Sequence, residues 1–428
     1  MASNSARLSR PLVFVTLLLG AFVVAVPRPM TEAQAREVRP DSWFYLYGAE
    51  ALLHGHYLVD FGDVQLLDKP VLPVGPTVPI YPPGLSLLLA PAIGLGGSLQ
   101  ASLVVPLLAA IALGVGAALI EGRLADERAA PLAVAFAIFT PAVLVESRIV
   151  MSDLASAALG LLVVVMLALL RGRGTVAAAG LVAGALAWLR YANVAIIVAG
   201  LFAVTALGGS WRRNVLWYLA GAALPILLLA MWQDQTFGSP LATTYQAGGA
   251  SDHSAGIGAY FSPRFVLGQP LGQDGWELGG LAMKLGLPNG LVYPLQLLGG
   301  DPYVLMPGVG VVGLIGLARY ARQLGPAGVI GRFGLASIAA TLAVYVPYLY
   351  QSGRFLILPA TMLAVGAASL AAQPLFCVGR HLWSRVTLRA VRRARLLTLW
   401  KVALVALGIE CGLLVSLGMT WLLRHTVG

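Results

Sequence analysis

Residues 153–170 read DLASAALGLLVVVMLALL, with a single charge at the first position and apolar or small residues after it. The run is close to the ~20 residues that an α-helix needs to cross the hydrocarbon core of a bilayer. Backbone hydrogen bonds in lipid must be made within the protein, and this run lacks the alternation of a membrane β-strand. It therefore predicts a membrane-spanning helix.

Similar apolar runs recur along the chain, which is 58% hydrophobic and 11% charged, with a mean hydropathy of +0.83. This composition has too little polar surface for a soluble domain. We predict an all-α polytopic membrane helix bundle of about eleven spans, with residues 1–428 forming one membrane domain. The spans lie near 11–27, 99–120, 130–146, 153–170, 175–189, 193–208, 214–232, 303–318, 333–350, 355–373 and 400–423.

The first run raises the alternative of a cleaved signal peptide. Ala33-Gln34-Ala35 forms a small-x-small site after it. The run is longer than the roughly 7–15 apolar residues of a signal peptide, so we expect it to be retained as a span.

Arginines indicate the orientation, because short cytoplasmic loops are enriched in Lys and Arg. With the N-terminus in the cytoplasm, every cluster falls on one side: Arg7, Arg10, Arg171, Arg173, Arg212, Arg213, Arg319, Arg322 and the dense set between Arg380 and Arg395. Residues 380–400 mix arginines with apolar residues and predict a basic helix along the cytoplasmic interface.

The net charge of +10 does not indicate nucleic-acid binding. The arginines mark loops, and no basic face carries interleaved stacking aromatics, so we expect no nucleic-acid partner. Cys377 and Cys411 are too few for a disulfide framework.

Two long loops, 28–84 and 233–300, lie on the predicted outer side and are rich in Gly, Pro, aromatic and acidic residues. Long loops of this kind are often functional. Residues 41–53 have apolar spacing typical of a short helix on the outer membrane surface, with Asp41 as its cap or first residue. Residues 84–97 are too short for a span and predict a re-entrant or interfacial helix.

An ordered set of motifs on this outer side resembles the GT-C superfamily of lipid-linked glycosyltransferases, which includes protein O-mannosyltransferases and the aminoarabinose transferases of lipid A. The first motifs are Asp41, Tyr45, Ala49, Leu53 and Gly55, followed by Tyr81-Pro82-Pro83-Gly84 and residues 146–153, ESRIVMSD. Further along are residues 189–193, LRYAN; residues 236–241, TFGSPL, with Tyr245; and residues 351–355, QSGRF, with Pro359. The resemblance covers most of the chain in the right order.

The resemblance implies an enzyme that moves a sugar from a polyprenyl-phosphate donor to a glycan, lipid or protein acceptor, with inversion. It implies a multi-pass protein of a bacterial-type inner membrane whose site faces outward. Asp41 is the candidate general base, although an Asp there also suits a helix cap. Asp153 is the second candidate catalytic acid, with capping of its helix as the alternative.

Three arginines are candidates for binding the lipid phosphate: Arg354, Arg190 and Arg148. Guanidinium groups bind phosphate with two hydrogen bonds, and positive charge on the outer side needs a reason, although snorkelling is the alternative. Candidate substrate-binding residues are Tyr45, Tyr81, Tyr245, Glu146 and His54. An ion pair of Glu146 with Arg148 and an interfacial aromatic belt are the competing interpretations.

No cofactor is required by the sequence, although a divalent cation is compatible with it. The loop residues His54, His56, Asp60, Asp63 and Asp68 match no metal signature, so solvated side chains are the favoured interpretation and no metal ligand is assigned. The alternatives for function are a secondary transporter or lipid flippase, or a catalytically silent lipid-binding relative. Many family members carry paired acids where this chain has Asp41 followed by Ser42, which keeps the silent relative open.

Overall fold

The computed structural model describes residues 5–25, 41–60, 76–79, 81–97, 99–124, 129–170, 172–244, 261–268, 272–273, 287–300, 303–306, 308–348 and 350–385. Its α-helices are α1 Ser5–Ala25, α2 Asp41–Leu53, α3 Gly84–Gly96, α4 Val104–Leu124, α5 Ala130–Ile138, α6 Pro141–Glu146, α7 Ser152–Leu169, α8 Arg173–Leu189, α9 Val194–Val204, α10 Trp211–Phe237, α11 Arg264–Leu267, α12 Asn289–Leu295, α13 Val309–Ala321, α14 Pro326–Tyr345 and α15 Ile357–Arg385.

Short 3-10 turns precede or follow several of these helices: Leu99–Leu103, Tyr191–Asn193 and Gly353–Leu356. A π-helical turn, Gln296–Gly300, extends α12. The strands are two residues long: β1 Val59–Asp60 pairs antiparallel with β2 Pro76–Thr77, and β3 Gly272–Gln273 pairs parallel with β4 Tyr350–Gln351. The predicted all-α bundle is confirmed.

Among the described residues, five helices are long and apolar enough to cross a membrane, and five further apolar helices are shorter. Each predicted span up to residue 373 coincides with helical structure, with ends shifted by a few residues. The predicted span 400–423 lies outside the described residues. Residues 380–385 of the predicted interfacial helix continue α15, and the rest of that prediction also lies outside.

The predicted span 130–146 is divided into α5 and α6. Pro141 starts the second helix, since proline lacks an N–H and its ring clashes with the carbonyl of the preceding turn. Thr140 is the N-cap of α6, and its Oγ1 accepts a hydrogen bond from the Val143 N–H at 3.4 Å. The break keeps α6 short and places its end beside the 3-10 turn Gly353–Leu356.

Helices α8 and α10 pack with backbone against backbone, because both carry glycines at the contact. A Cβ added at Gly180 would collide with the Tyr218 carbonyl oxygen, and one added at Gly221 would collide with the Ala177 carbonyl oxygen. Small residues of this kind allow close approach of membrane helices, whose association depends on packing rather than on burial from water.

We expect Gly180→Ala to destabilise the protein by about 1–3 kcal/mol, because the added methyl must push the two helices apart. Thermal unfolding of the purified protein in detergent measures this. Gly174→Ala is the matched control in the same helix, since a Cβ there meets nothing within 4 Å. An unchanged melting temperature for Gly180→Ala would contradict the close packing of α8 on α10.

Arg332 of α14 connects neighbouring helices at one end of the bundle. This is the arginine-rich end, which is predicted to be cytoplasmic. The Arg332 Nε donates to the Ala321 carbonyl at 3.0 Å, and its Nη1 donates to the Thr205 hydroxyl at 2.7 Å. The Gly325 N–H donates to the Ala206 carbonyl at 2.7 Å. The ends of α9 and α13 and the start of α14 therefore meet there, and the other end of the bundle holds the residues described next.

Candidate active site

Two acids and two arginines from four distant parts of the chain meet at this second end. The Arg354 guanidinium lies 3.5 Å from an Asp41 carboxylate oxygen and 3.6 Å from an Asp153 carboxylate oxygen. Arg190 makes an ion pair with the other oxygen of Asp153. We call Asp41, Asp153, Arg190 and Arg354 the ion cluster. These are the candidate catalytic acids and two of the candidate phosphate-binding arginines.

Burial differs sharply among the members of the ion cluster. The Asp153 side chain is 3% exposed, and those of Arg354 and Arg190 are 9% and 10% exposed. The Asp41 side chain is 31% exposed. Asp41 is thus the carboxylate that a molecule arriving from outside the bundle can reach, whereas Asp153 lies beneath the arginines.

Both acids lie at the N-terminal ends of helices. Asp41 is the first residue of α2, and Asp153 is the second residue of α7. The partial positive charge of a helix N-terminus stabilises a carboxylate there. The sequence patterns predicted an acid at the start of each of these helices. The arginines reach the two acids only through tertiary packing.

The two arginines lie at breaks between helices. Arg190 follows the last residue of α8 in an extended conformation, φ −164° and ψ 128°, before the turn Tyr191–Asn193. Arg354 lies in the 3-10 turn Gly353–Leu356 that leads into α15. Because the helix is interrupted at both places, each guanidinium can turn back toward α7.

Aromatic rings form one wall around the arginines. The Arg190 and Arg354 guanidinium carbons lie 4.5 Å and 5.4 Å from the centre of the Phe355 ring. Phe355 stacks on Tyr345, with ring centres 4.3 Å apart. Cation–π contacts of this kind hold guanidinium groups in place where little water is present. Phe355 and Tyr345 were not among the predicted site residues, although Phe directly after Arg in residues 351–355, QSGRF, was an available signal.

Tyr45 of α2 stacks on Tyr81, which lies shortly before α3, with ring centres 4.7 Å apart. The Tyr45 hydroxyl donates to the Ser152 hydroxyl at 3.1 Å, next to Asp153. Burial raises the pKa of Tyr45 above its ordinary value, so the phenol keeps its proton as a donor. Tyr45 therefore ties α2 to the start of α7, which brings Asp41 and Asp153 together.

The other candidate residues take different positions. Glu146 is fully buried at the end of α6, and Arg148 is 8% exposed in the connection to α7. His54 is exposed after the last residue of α2, about 20 Å from Asp41 along a helix of this length. Tyr245 lies outside the described residues. No group of three or more metal-ligand side chains occurs in the described part of the chain.

A small cleft that is partly open to solvent borders the ion cluster. Asp153, Arg190 and Arg354 line its polar part. Its apolar lining comes from α9, α15 and the aromatic wall: Ala195, Ile196, Tyr345, Phe355, Ile357 and Leu358. A charged entrance beside an apolar wall suits a ligand that has an anionic head and a hydrocarbon tail.

The fold and the site define a polytopic α-helical membrane protein with a cluster of two acids and two arginines at one end of the bundle, beside a cleft with an apolar wall. No family model and no curated protein sequence matches the chain. Solved structures do match. The fold is therefore the basis for the comparison with known proteins.

A structure of ArnT from Cupriavidus metallidurans bound to undecaprenyl phosphate aligns with 97% of this chain and 77% of its own, with a TM-score of 0.55 at 15% identity. The Archaeoglobus fulgidus oligosaccharyltransferase tethered to an acceptor peptide aligns with 97% of this chain, with a TM-score of 0.56 at 14% identity. The archaeal oligosaccharyltransferase AglB in complex with an inhibitory peptide and a dolichol-phosphate aligns with 94%, at a TM-score of 0.51 and 13% identity.

This chain spans about half the length, 55%, of each of these two oligosaccharyltransferase chains. At such low identities the likeness establishes the fold alone. The protein has the GT-C fold, as the motif resemblance predicted.

Proposed function

We propose that the protein is a membrane glycosyltransferase of GT-C type, which moves a sugar from a polyprenyl-phosphate donor to an acceptor with inversion. The acceptor is a glycan, a lipid or a protein. We place the site on the outer face of a bacterial-type inner membrane, because the arginine-rich loops lie at the opposite end of the bundle.

The observation that carries the proposal is the ion cluster itself. Asp41 and Arg354 lie 3.5 Å apart, although they are separated by most of the sequence. Sugar transfer from a lipid phosphate needs a carboxylate for the acceptor and cations for the phosphate within one small volume. The ion cluster offers both, with the carboxylate of Asp41 as its accessible side.

Asp41 accepts the proton of the acceptor hydroxyl in this mechanism. The hydroxyl oxygen attacks the anomeric carbon, the bond from that carbon to the phosphate oxygen breaks, and the lipid phosphate leaves with the bonding electron pair. Attack on the face opposite to the leaving group inverts the anomeric configuration. Arg354 and Arg190 neutralise the negative charge that develops on the departing phosphate.

Asp153 has a positioning role in this proposal. It is buried and contacts both arginines, so an acceptor cannot reach it while they are in place. Its carboxylate keeps two neighbouring cations close together in a site with little water. A phosphate that binds the two arginines exploits a geometry that Asp153 has already set.

Two features support a polyprenyl carrier. The wall of the cleft beside Arg190 and Arg354 is apolar, as an isoprenoid chain requires. Two of the proteins with the same fold were solved with lipid phosphates, undecaprenyl phosphate and dolichol-phosphate. In this proposal, membrane phospholipid covers the outer surface of the bundle.

The test is reconstitution of the purified protein into liposomes with a panel of synthetic undecaprenyl-phosphate sugars and extracted envelope acceptors. We expect sugar transfer to an acceptor and release of undecaprenyl phosphate. Uptake or flipping of the lipid without a glycosylated product would favour a transporter or flippase. Lipid binding without turnover for any donor would favour a silent relative, and either result would overturn the proposal.

A further inference from the structure

Residues 350–352, which lead directly into the turn that carries Arg354, are held by buried side chains of α12. The hydrogen bonds join residues that lie 57 to 62 positions apart in the chain. α12 belongs to the predicted second outer loop, which has no other part in the proposed mechanism. The contact therefore connects that loop to the ion cluster.

Tyr293 makes the most direct connection. Its hydroxyl donates to the Tyr350 carbonyl at 3.1 Å and accepts from the Ser352 N–H at 3.1 Å. The side chain is fully buried, so no bulk water competes for these bonds. One oxygen atom thus fixes the backbone on both sides of Gln351, three residues before Arg354.

Asn289 and Gln351 form a second connection beside the first. The Gln351 amide donates to the Asn289 side-chain oxygen at 2.9 Å, and the Asn289 amide donates to the Tyr348 carbonyl at 2.7 Å. Both side chains are fully buried. Buried amides are costly unless paired, so this arrangement defines one conformation of the segment rather than several.

We propose that Asn289, Tyr293 and Gln351 form a polar clasp that positions Arg354 for the lipid phosphate, so that the second outer loop sets the affinity of this site. The inference rests on the proposed function. A guanidinium fork must be held within a fraction of an ångström to bind a phosphate with two hydrogen bonds. Gly353, beside Arg354, provides no side-chain packing of its own, and the clasp supplies the missing constraint.

Tyr293→Phe tests the clasp with the loss of one oxygen atom. We expect the Kd for undecaprenyl phosphate, measured with purified protein in detergent, to rise about tenfold, since two buried hydrogen bonds are removed. Tyr218→Phe is the matched control. Tyr218 is also fully buried, and its hydroxyl has no hydrogen-bond partner among the described residues. We expect its Kd to stay within twofold of wild type.

A double-mutant cycle separates positioning from a general loss of structure. In an Arg354→Ala background, where Arg190 retains residual affinity, Tyr293→Phe should change the Kd by less than about twofold. An equal loss in both backgrounds would mean that Tyr293 acts on the whole site rather than through Arg354. An unchanged Kd for Tyr293→Phe in the protein that retains Arg354 would also overturn the clasp.

Hydrogen exchange supplies a readout that needs no lipid. Tyr293→Phe should raise the exchange rate of the Ser352 amide, and Tyr218→Phe should leave it unchanged. If the wild-type protein binds no undecaprenyl phosphate, the proposed function fails, and the clasp as a device for phosphate binding fails with it. If the wild type binds lipid but the Ser352 amide exchanges equally in both proteins, the clasp alone fails.

Discussion

Replacement of Asp41 by Asn is expected to lower the turnover number of sugar transfer about 1000-fold, while the affinity for the lipid donor is retained. The amide has nearly the same shape as the carboxylate but cannot accept the acceptor proton, and general-base catalysis of this kind contributes roughly 10²–10⁴-fold. Arg354 keeps its contact with the Asp153 carboxylate in this variant, so we expect the protein to stay folded. Single-turnover transfer from a synthetic donor measures the effect.

Glu50→Gln is the matched control for this prediction. Glu50 lies on the same helix, nine residues after Asp41 and on the opposite face, and is exposed. It loses the same charge without touching the ion cluster, so we expect wild-type turnover. Full activity of a folded Asp41→Asn protein would rule out Asp41 as the base.

Replacement of Asp153 by Asn is expected to destabilise the free protein by about 3 kcal/mol or more. Asp153 is buried and contacts both Arg190 and Arg354, and removal of one partner from a buried ion pair costs roughly 3–5 kcal/mol. Undecaprenyl phosphate should raise the melting temperature of this variant more than that of wild type, because a bound anion takes over the role of the lost carboxylate.

Thermal unfolding in detergent, with and without lipid phosphate, measures both effects. Asp234→Asn removes an exposed acid at the end of α10 and should leave the melting temperature unchanged. A stable Asp153→Asn protein whose lipid response equals that of wild type would show that Asp153 does not organise the arginines.

The sequence predicted local structure well where local physics decides it. The bounds of α2, Asp41–Leu53, agree with the spacing of its aromatic residues and the acid at its start. The break between α5 and α6 was missed, although Pro141 lies in the middle of the predicted span. Hydropathy alone does not register such a break, because the residues on both sides of it remain apolar.

The sequence predicted which side of the membrane the site residues share, but not their contacts with one another. Alternation of spans placed Asp41, Asp153, Arg190 and Arg354 on one side of the membrane, but the 3.5 Å separation of Asp41 and Arg354 comes from packing between distant helices. Contacts between residues that are far apart in the chain cannot be read from a single sequence. The hydrogen bonds from the Ser369 hydroxyl to the buried Glu121 carboxyl, 248 residues away, are a second example that sequence analysis missed.

The affinity of the purified protein for undecaprenyl phosphate, compared between Arg354→Ala and Arg332→Ala, tests the central claim most directly. Arg332 is a partly buried arginine of the same bundle, but its hydrogen bonds lie at the opposite end. We predict that Arg354→Ala weakens binding about 30-fold, since a charged hydrogen-bonding group is lost, and that Arg332→Ala leaves the Kd unchanged. Equal Kd values for Arg354→Ala and wild type would contradict a lipid-phosphate site at the ion cluster.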